Sequence, residues 1–144
     1  MGRQIGLNAA IHGYMTTVCE TVPAVRESVL DWEKDYLSSR VQKGKMTAAQ
    51  VDEIMSRFSV TDDLATAVKA ADIVIESIIE DRSAKTQVLH QISELAPADA
   101  LIGTNSSYMV SSLFKDAVKN PERLTNLHFF APVLVMKLVE VVKG

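Results

Sequence analysis

The chain has 144 residues, 47% of them apolar, and a formal net charge of −3. That length suits one domain of ordinary size with a substantial core, and a mildly acidic chain without blocks of like charge has no general pull toward nucleic acid. Cys19 is the only cysteine, which excludes an internal disulfide or a CxxC redox pair and points to a reducing, cytoplasmic setting; no apolar run approaches the roughly 18 residues of a membrane-spanning helix, so no membrane partner is expected.

Met1 to His12 is expected to be a helix with a small-residue side, Gly2, Gly6, Ala9 and Ala10, which lets it approach a sheet or a ligand closely. Gly13 closes it just past the C-cap. Met15 to Cys19 reads as a short strand with Glu20 at its C-terminal end. Val22 to Lys43 carries helical periodicity through Val25, Val29, Trp32, Tyr36 and Leu37, and Pro23 suits its first turn. Gly44 breaks the pattern, and Lys43-Gly44-Lys45 is the one compact basic cluster. Thr47 is an N-cap candidate for a second helix containing Ala48, Val51, Ile54 and Met55. The two helices form an excursion before the strand Phe58 to Thr61. Asp62 or Asp63 can cap a short helix from Leu64 to Ala70.

Ile73 to Ser77 is the next strand, and Asp81 to Leu95 a helix with Val88, Leu89, Ile92 and Leu95 on one side. Leu101 to Thr104 is a strand that runs into the polar turn Asn105-Ser106-Ser107. Val110 to Val118 is expected to be a short helix, Asn120-Pro121 a turn, and Leu124 to His128 a strand. The run from Leu127 to Val142 closes the chain, with flanks rich in Val, Leu and Phe, as in strands buried on both faces. Pro132 interrupts it, because a proline has no N–H to give a central strand.

His128 and Glu140 are the main ionisable groups of that run. A carboxylate in apolar surroundings needs a partner, and a paired imidazole would be held in one tautomer with a more basic second nitrogen. The competing reading is a buried, satisfied histidine and an unrelated glutamate at a strand edge. Strands alternating with helices make the class α/β with a mostly parallel sheet. Ligands of such sheets bind beyond the C-terminal strand ends, where Glu20, Glu76, Asn105, Ser106, Ser107 and His128 all fall.

Several of these stretches together resemble a known family. Met1-Gly2-Arg3 is similar to the end of a GxGxMG turn, and Asp62-Asp63-Leu64 followed by Ala71 to Glu76 is similar to a T-D-L…A-D-x-V-I-E pattern. Thr104-Asn105-Ser106-Ser107 is similar to a T-N-T-S turn. Leu127-His128-Phe129-Phe130 with Pro132 and Met136 to Val142 is similar to an L-H-F-F-N-P…M-K-L-V-E-V-V signature. Nearly end to end, the chain resembles the NAD-binding domain of the 3-hydroxyacyl-CoA dehydrogenases, which include 3-hydroxybutyryl-CoA dehydrogenases.

The resemblance implies a Rossmann-like, mostly parallel sheet flanked by helices, with the helical excursion after the family's second strand. It implies that residues 1–144 form an incomplete NAD-binding domain, without the family's first strand and the glycines before Gly2, and without its C-terminal helical domain. The implied reaction moves a hydride between the 3-hydroxy carbon of a 3-hydroxyacyl-CoA and NAD. His128 is similar in place to the family's general base, Glu140 to the carboxylate that orients the imidazole, and Ser107 to the serine on the substrate oxygen, with Ser106 the weaker candidate. Gly2, Glu20, Glu80, Lys85, Asn105 and Ser107 fall at family cofactor positions. Glu20 is expected on the adenosine ribose, with a preference for NAD over NADP. Glu80 and Lys85 are expected near the nicotinamide end, the alternative for each being a solvated helix charge. Lys43 falls where the family has a lysine on the CoA phosphates. No metal is implied, and the family leads us to expect a homodimer of the full-length protein.

Three departures stand out: Ala131 in place of Asn, Leu134 in place of Pro, and Tyr108 in place of a second Ser. They leave room for a related 3-hydroxyacid dehydrogenase whose substrate carries no CoA. The missing strand and domain leave room for a catalytically silent binding fragment.

Overall fold

The computed structural model describes residues 1–143. Its strands pair in two separate sheets. One joins β1 (Thr16–Cys19) to β2 (Phe58–Thr61) in parallel; the other has the order β3 (Ile73–Glu76), β4 (Leu101–Thr104), β5 (Leu124–Phe129), β6 (Val139–Lys143). Pairings β3–β4 and β4–β5 are parallel, and β5–β6 is antiparallel. The chain divides into two compact units, residues 3–63 and residues 64–144 together with Met1 and Gly2.

The first unit holds most of α1 (Gly2–Ile11), then β1, α2 (Pro23–Gln42), α3 (Ala48–Arg57) and β2. Helix α1 ends in a Schellman arrangement: Tyr14 N donates to Ala9 O (3.1 Å), Gly13 N donates to Ala10 O (3.1 Å), and Gly13 has φ 95°. A left-handed residue there favours glycine. The small-residue side of α1 lies against the strands. A Cβ on Gly6 would come within 2.8 Å of Val18 Cγ2 and 3.3 Å of Phe58 Cε2. Helix α3 starts with a capping box, Thr47 Oγ1 accepting from Gln50 N (3.2 Å) and Gln50 Oε1 accepting from Thr47 N (2.9 Å). Each satisfies a backbone donor that the first turn leaves without an intrahelical partner. The buried stripe of α2 is Val29, Glu33 and Leu37, one residue per turn.

The second unit carries the larger core. Leu89 and Ile92 from α5 (Arg82–Leu95) pack with Ile102, Met109, Phe114, Val118 and Leu124. Full burial of each such side chain contributes roughly 1.5–3 kcal/mol. Asp81 caps α5 through its Oδ1, which accepts from Ala84 N at 2.8 Å. Helix α4 is shorter than its pattern suggested, Leu64–Val68. Gly103 is required by a close approach: a Cβ there would stand 2.6 Å from Leu127 Cδ1 and 3.0 Å from Leu127 Cβ.

Two expectations are corrected here. The stretch expected to be a helix from Val110 to Val118 is a 3-10 helix, Ser111–Ala117. Side-chain acceptors take the amides at its entry, Ser106 Oγ from Met109 N (3.0 Å) and Asn126 Oδ1 from Ser111 N (2.7 Å), and such bonds compete with a helical ladder. The final run does not form strands buried on both faces. Every residue of β6 is exposed, Val141 by 66%, because β6 is the antiparallel edge of its sheet, and antiparallel edges tolerate water on one side. Among the described residues no helix is long and apolar enough to cross a membrane.

Candidate active site

The site in the second unit follows from strand register. In β5 the side chains alternate, so Asn126 and His128 share a face. Antiparallel pairing sets Val142 opposite Asn126 and Glu140 opposite His128. Cross-strand neighbours of this kind have Cβ atoms only about 5 Å apart, so twelve residues of sequence collapse into one contact. His128 Nδ1 lies 3.4 Å from Glu140 Oε2, and His128 Nε2 lies 3.2 Å from Ser107 Oγ. The imidazole is 18% exposed and Glu140 56%. At that exposure the pair adds little stability; its effect is on ring orientation and tautomer. With Nδ1–H donating to Glu140, Nε2 keeps a lone pair that accepts from the Ser107 hydroxyl. The Phe130 ring stands 4.7 Å from the imidazole, centroid to centroid.

The turn after β4 presents Ser107. Asn105 N donates to Glu76 O (2.8 Å), continuing the β3–β4 ladder, and Asn105 Oδ1 accepts from Phe129 N (2.8 Å). The side chain of Asn105 therefore ties the ends of β4 and β5 together. Ser106 turns inward: its hydroxyl donates to Glu80 Oε2 (2.8 Å) and accepts from Met109 N. Ser107 turns outward to His128, and its N–H donates to Glu80 Oε1 (2.9 Å). Tyr108 Oη donates to Glu80 O at 3.3 Å, with the ring 69% exposed. Ser107, Tyr108, Asn126, His128, Glu140 and Val142 line a cavity of about 240 Å³.

Beneath the turn lies a buried charge cluster that sequence reasoning missed. Lys85 is 1% exposed and its Nζ donates to Glu76 Oε1 at 2.8 Å. It also reaches Glu80 Oε2 at 3.5 Å and Ile78 O at 3.4 Å. Glu76 further accepts from Ile78 N (2.7 Å) and Thr104 Oγ1 (2.7 Å). The reading of Lys85 as a solvated helix charge is thus corrected. It was available in outline: an acid at the end of β3 and a lysine in the first turn of the next helix are nine residues apart. Burial opposes ionisation of Glu80, but the Ser107 N–H, the Ser106 hydroxyl and the Lys85 ammonium outweigh it and hold the carboxyl below its usual range. Asn126 was also missed, although it precedes His128 by two residues on the same strand face. It clamps the serine segment, accepting from Ser111 N and donating to Met109 O (3.2 Å).

The remaining candidates are placed as follows. Gly2 opens α1 close to the end of β3, where a Cβ would meet Ser77 Cβ at 3.5 Å. The Ser77 hydroxyl beside it is buried without a hydrogen-bond partner among the described residues. In the first unit, Glu20 follows β1 and its Oε1 accepts from Val22 N at 2.9 Å. Lys43 is exposed at the C-terminal end of α2.

The chain is similar to known proteins over its whole length. The family model "3-hydroxyacyl-CoA dehydrogenase, NAD binding domain" matches residues 1–144. The chain is 37% identical to the 3-hydroxyadipyl-CoA dehydrogenase of Escherichia coli K12, covering all of this chain and 30% of that protein. It is 33% identical to a probable 3-hydroxybutyryl-CoA dehydrogenase of Bacillus subtilis, again over its whole length and 50% of the relative. The crystal structure of the 3-hydroxybutyryl-CoA dehydrogenase of Escherichia coli K12 superposes with a TM-score of 0.95 at 36% identity, covering 100% of this chain and 30% of that one. The chain therefore spans half or less of the length of these relatives, and it belongs to the family of 3-hydroxyacyl-CoA dehydrogenase NAD-binding domains.

Proposed function

We propose that the chain is the NAD-binding part of an enzyme that interconverts a 3-hydroxyacyl-CoA and the corresponding 3-ketoacyl-CoA. One observation carries the reading: Glu140, His128 and Ser107 stand in unbroken succession at 3.4 and 3.2 Å. Bound NAD would supply the acceptor for the hydride of C3. His128 Nε2 takes the hydroxyl proton in that direction and returns it in the reverse one. Glu140 keeps Nδ1 protonated, aims the ring and stabilises the imidazolium. Ser107 donates to the substrate oxygen and holds it beside Nε2, where negative charge develops.

The residues present fit the cofactor. The N-terminus of α1, where the helix dipole places partial positive charge, suits a pyrophosphate. Glu20 fits a ribose diol and disfavours a 2′-phosphate. Asn105, Glu80 and Lys85 are assigned to the nicotinamide end, and Lys43 to the CoA phosphates. The lone thiol Cys19 supports a cytoplasmic setting, and the family supports a homodimer of the full-length protein.

His128→Gln in the full-length protein tests the reading. Turnover of acetoacetyl-CoA with NADH should fall by about a hundredfold or more, while NADH affinity is retained; undiminished turnover removes His128 from the chemistry. Tyr108, 69% exposed on the cavity wall, favours a second reading in which the substrate is a hydroxyacid without CoA. A panel of free hydroxyacids against acyl-CoA substrates separates the two.

A further inference from the structure

We propose that Glu76 is a positioning residue for the nicotinamide end of the cofactor site, acting through Lys85 and Glu80. The inference rests on the function proposed above, which assigns Lys85 and Glu80 to that end. Glu76 itself cannot meet a ligand, because its side chain is 0% exposed. It reaches the site only through its neighbours. Oε1 accepts from Lys85 Nζ at 2.8 Å and from Ile78 N at 2.7 Å, and Oε2 accepts from Thr104 Oγ1 at 2.7 Å. Its backbone carbonyl accepts from Asn105 N at 2.8 Å. Sheet register brings these groups together: Thr104 stands beside Glu76 in the β3–β4 pairing, and Lys85 arrives on the first turn of α5.

An ammonium has three N–H groups. Those of Lys85 find Glu76 Oε1, Ile78 O at 3.4 Å and Glu80 Oε2 at 3.5 Å. Glu76 is the nearest of the three and shares the burial of the lysine, so it decides where Nζ rests. The longer contact leaves Glu80 Oε2 to the Ser106 hydroxyl, which donates to it at 2.8 Å. Two carboxylates thus share one ammonium, and the buried one holds it, since charge-assisted bonds strengthen away from water. In Glu76→Gln, Lys85 has a single carboxylate left. The ammonium is then drawn onto Glu80 and competes with Ser106 for the same oxygen. Glu80 turns with it, and the nicotinamide end loses its shape. With the amide oxygen on Lys85 and Ile78 N, the NH₂ faces Thr104 Oγ1, which already accepts from Ser106 N at 3.3 Å. The threonine hydroxyl then has no acceptor there.

The experiment titrates two probes against the full-length wild type and Glu76→Gln: NADH, and ADP, which lacks the nicotinamide and its ribose. Glu76→Gln should weaken NADH about tenfold, the loss expected where a hydrogen bond to a charged group is spoiled. ADP affinity should stay within about twofold of wild type, because its contacts are independent of residue 76. A general loosening of the fold weakens both probes alike, and that result overturns the proposal. Unchanged NADH affinity overturns it too. Should the amide variant not fold, Glu76→Asp, which draws the carboxylate back by one methylene, is titrated with the same probes and judged by the same ratio. A wild type that binds no NADH sinks the proposed function and this inference with it; a wild type that binds NADH, with no selective loss in the variants, sinks the inference alone.

Discussion

Glu76 and Glu33 are both carboxyls sealed from water, 3% and 0% exposed, and the chain treats them in opposite ways. Glu76, in the second unit, accepts from Lys85 Nζ, Thr104 Oγ1 and Ile78 N within 2.7–2.8 Å. Glu33, at the middle of the buried stripe of α2 in the first unit, has no hydrogen-bond partner on either oxygen among the described residues. Burial pushes its carboxyl up to about 7, with Lys34 opposing only in part. A buried acid keeps its charge only where partners replace the lost water; otherwise it keeps its proton. The second unit spends its polar groups on fixing the turn that carries Ser107. The first carries a buried acid with no such role.

The comparison breaks most visibly at Lys85. Lys85→Met leaves Glu76 buried beside an apolar side chain, and such losses cost about 3–5 kcal/mol. Urea unfolding should show it, and Lys85→Met with Glu76→Leu should regain part of the loss, since apolar replacement of a whole buried pair is often tolerated. An unchanged urea midpoint for Lys85→Met would mean that Glu76 finds other partners.

Glu33 sharpens the contrast through pH. Its folded-state carboxyl is raised from 4.5 to about 7. Its contribution is therefore fully present below pH 4.5 and is lost as pH rises through about 7. Glu33→Gln should thus be close to neutral at pH 4.5 and stabilising at pH 8, by about 3 kcal/mol at most. Urea titrations at both pH values would check this, and equal effects at the two would show that folding does not raise the Glu33 carboxyl.

The smallest expected effect is at Thr104. Thr104→Val keeps the shape but removes one donor to Glu76, a loss of about 1.5–3 kcal/mol for a hydrogen bond to a charged group. The loss should be smaller than for Lys85→Met, because the ammonium remains. A loss equal to that of Lys85→Met would make the hydroxyl as important as the charge.

Much of this chain was legible in its residues. The spacing of Val88, Leu89, Ile92 and Leu95, the Thr47 cap, and Gly13 each act over a few neighbours, so the local pattern alone determines α5, the start of α3 and the end of α1. Which side chains could meet near the polar turn was also legible, because strand ends gather in an α/β fold. Only the tertiary structure decided that Ser106 points to Glu80 while Ser107 points to His128, and that β6 lies exposed at an edge. Burial of Lys85 against Glu76 and isolation of Glu33 belong to the same class. A charged residue reads alike in sequence whether it faces water or a partner. Its state depends on groups that other elements bring within about 3 Å, and that proximity exists only once the strands have paired and the helices have packed.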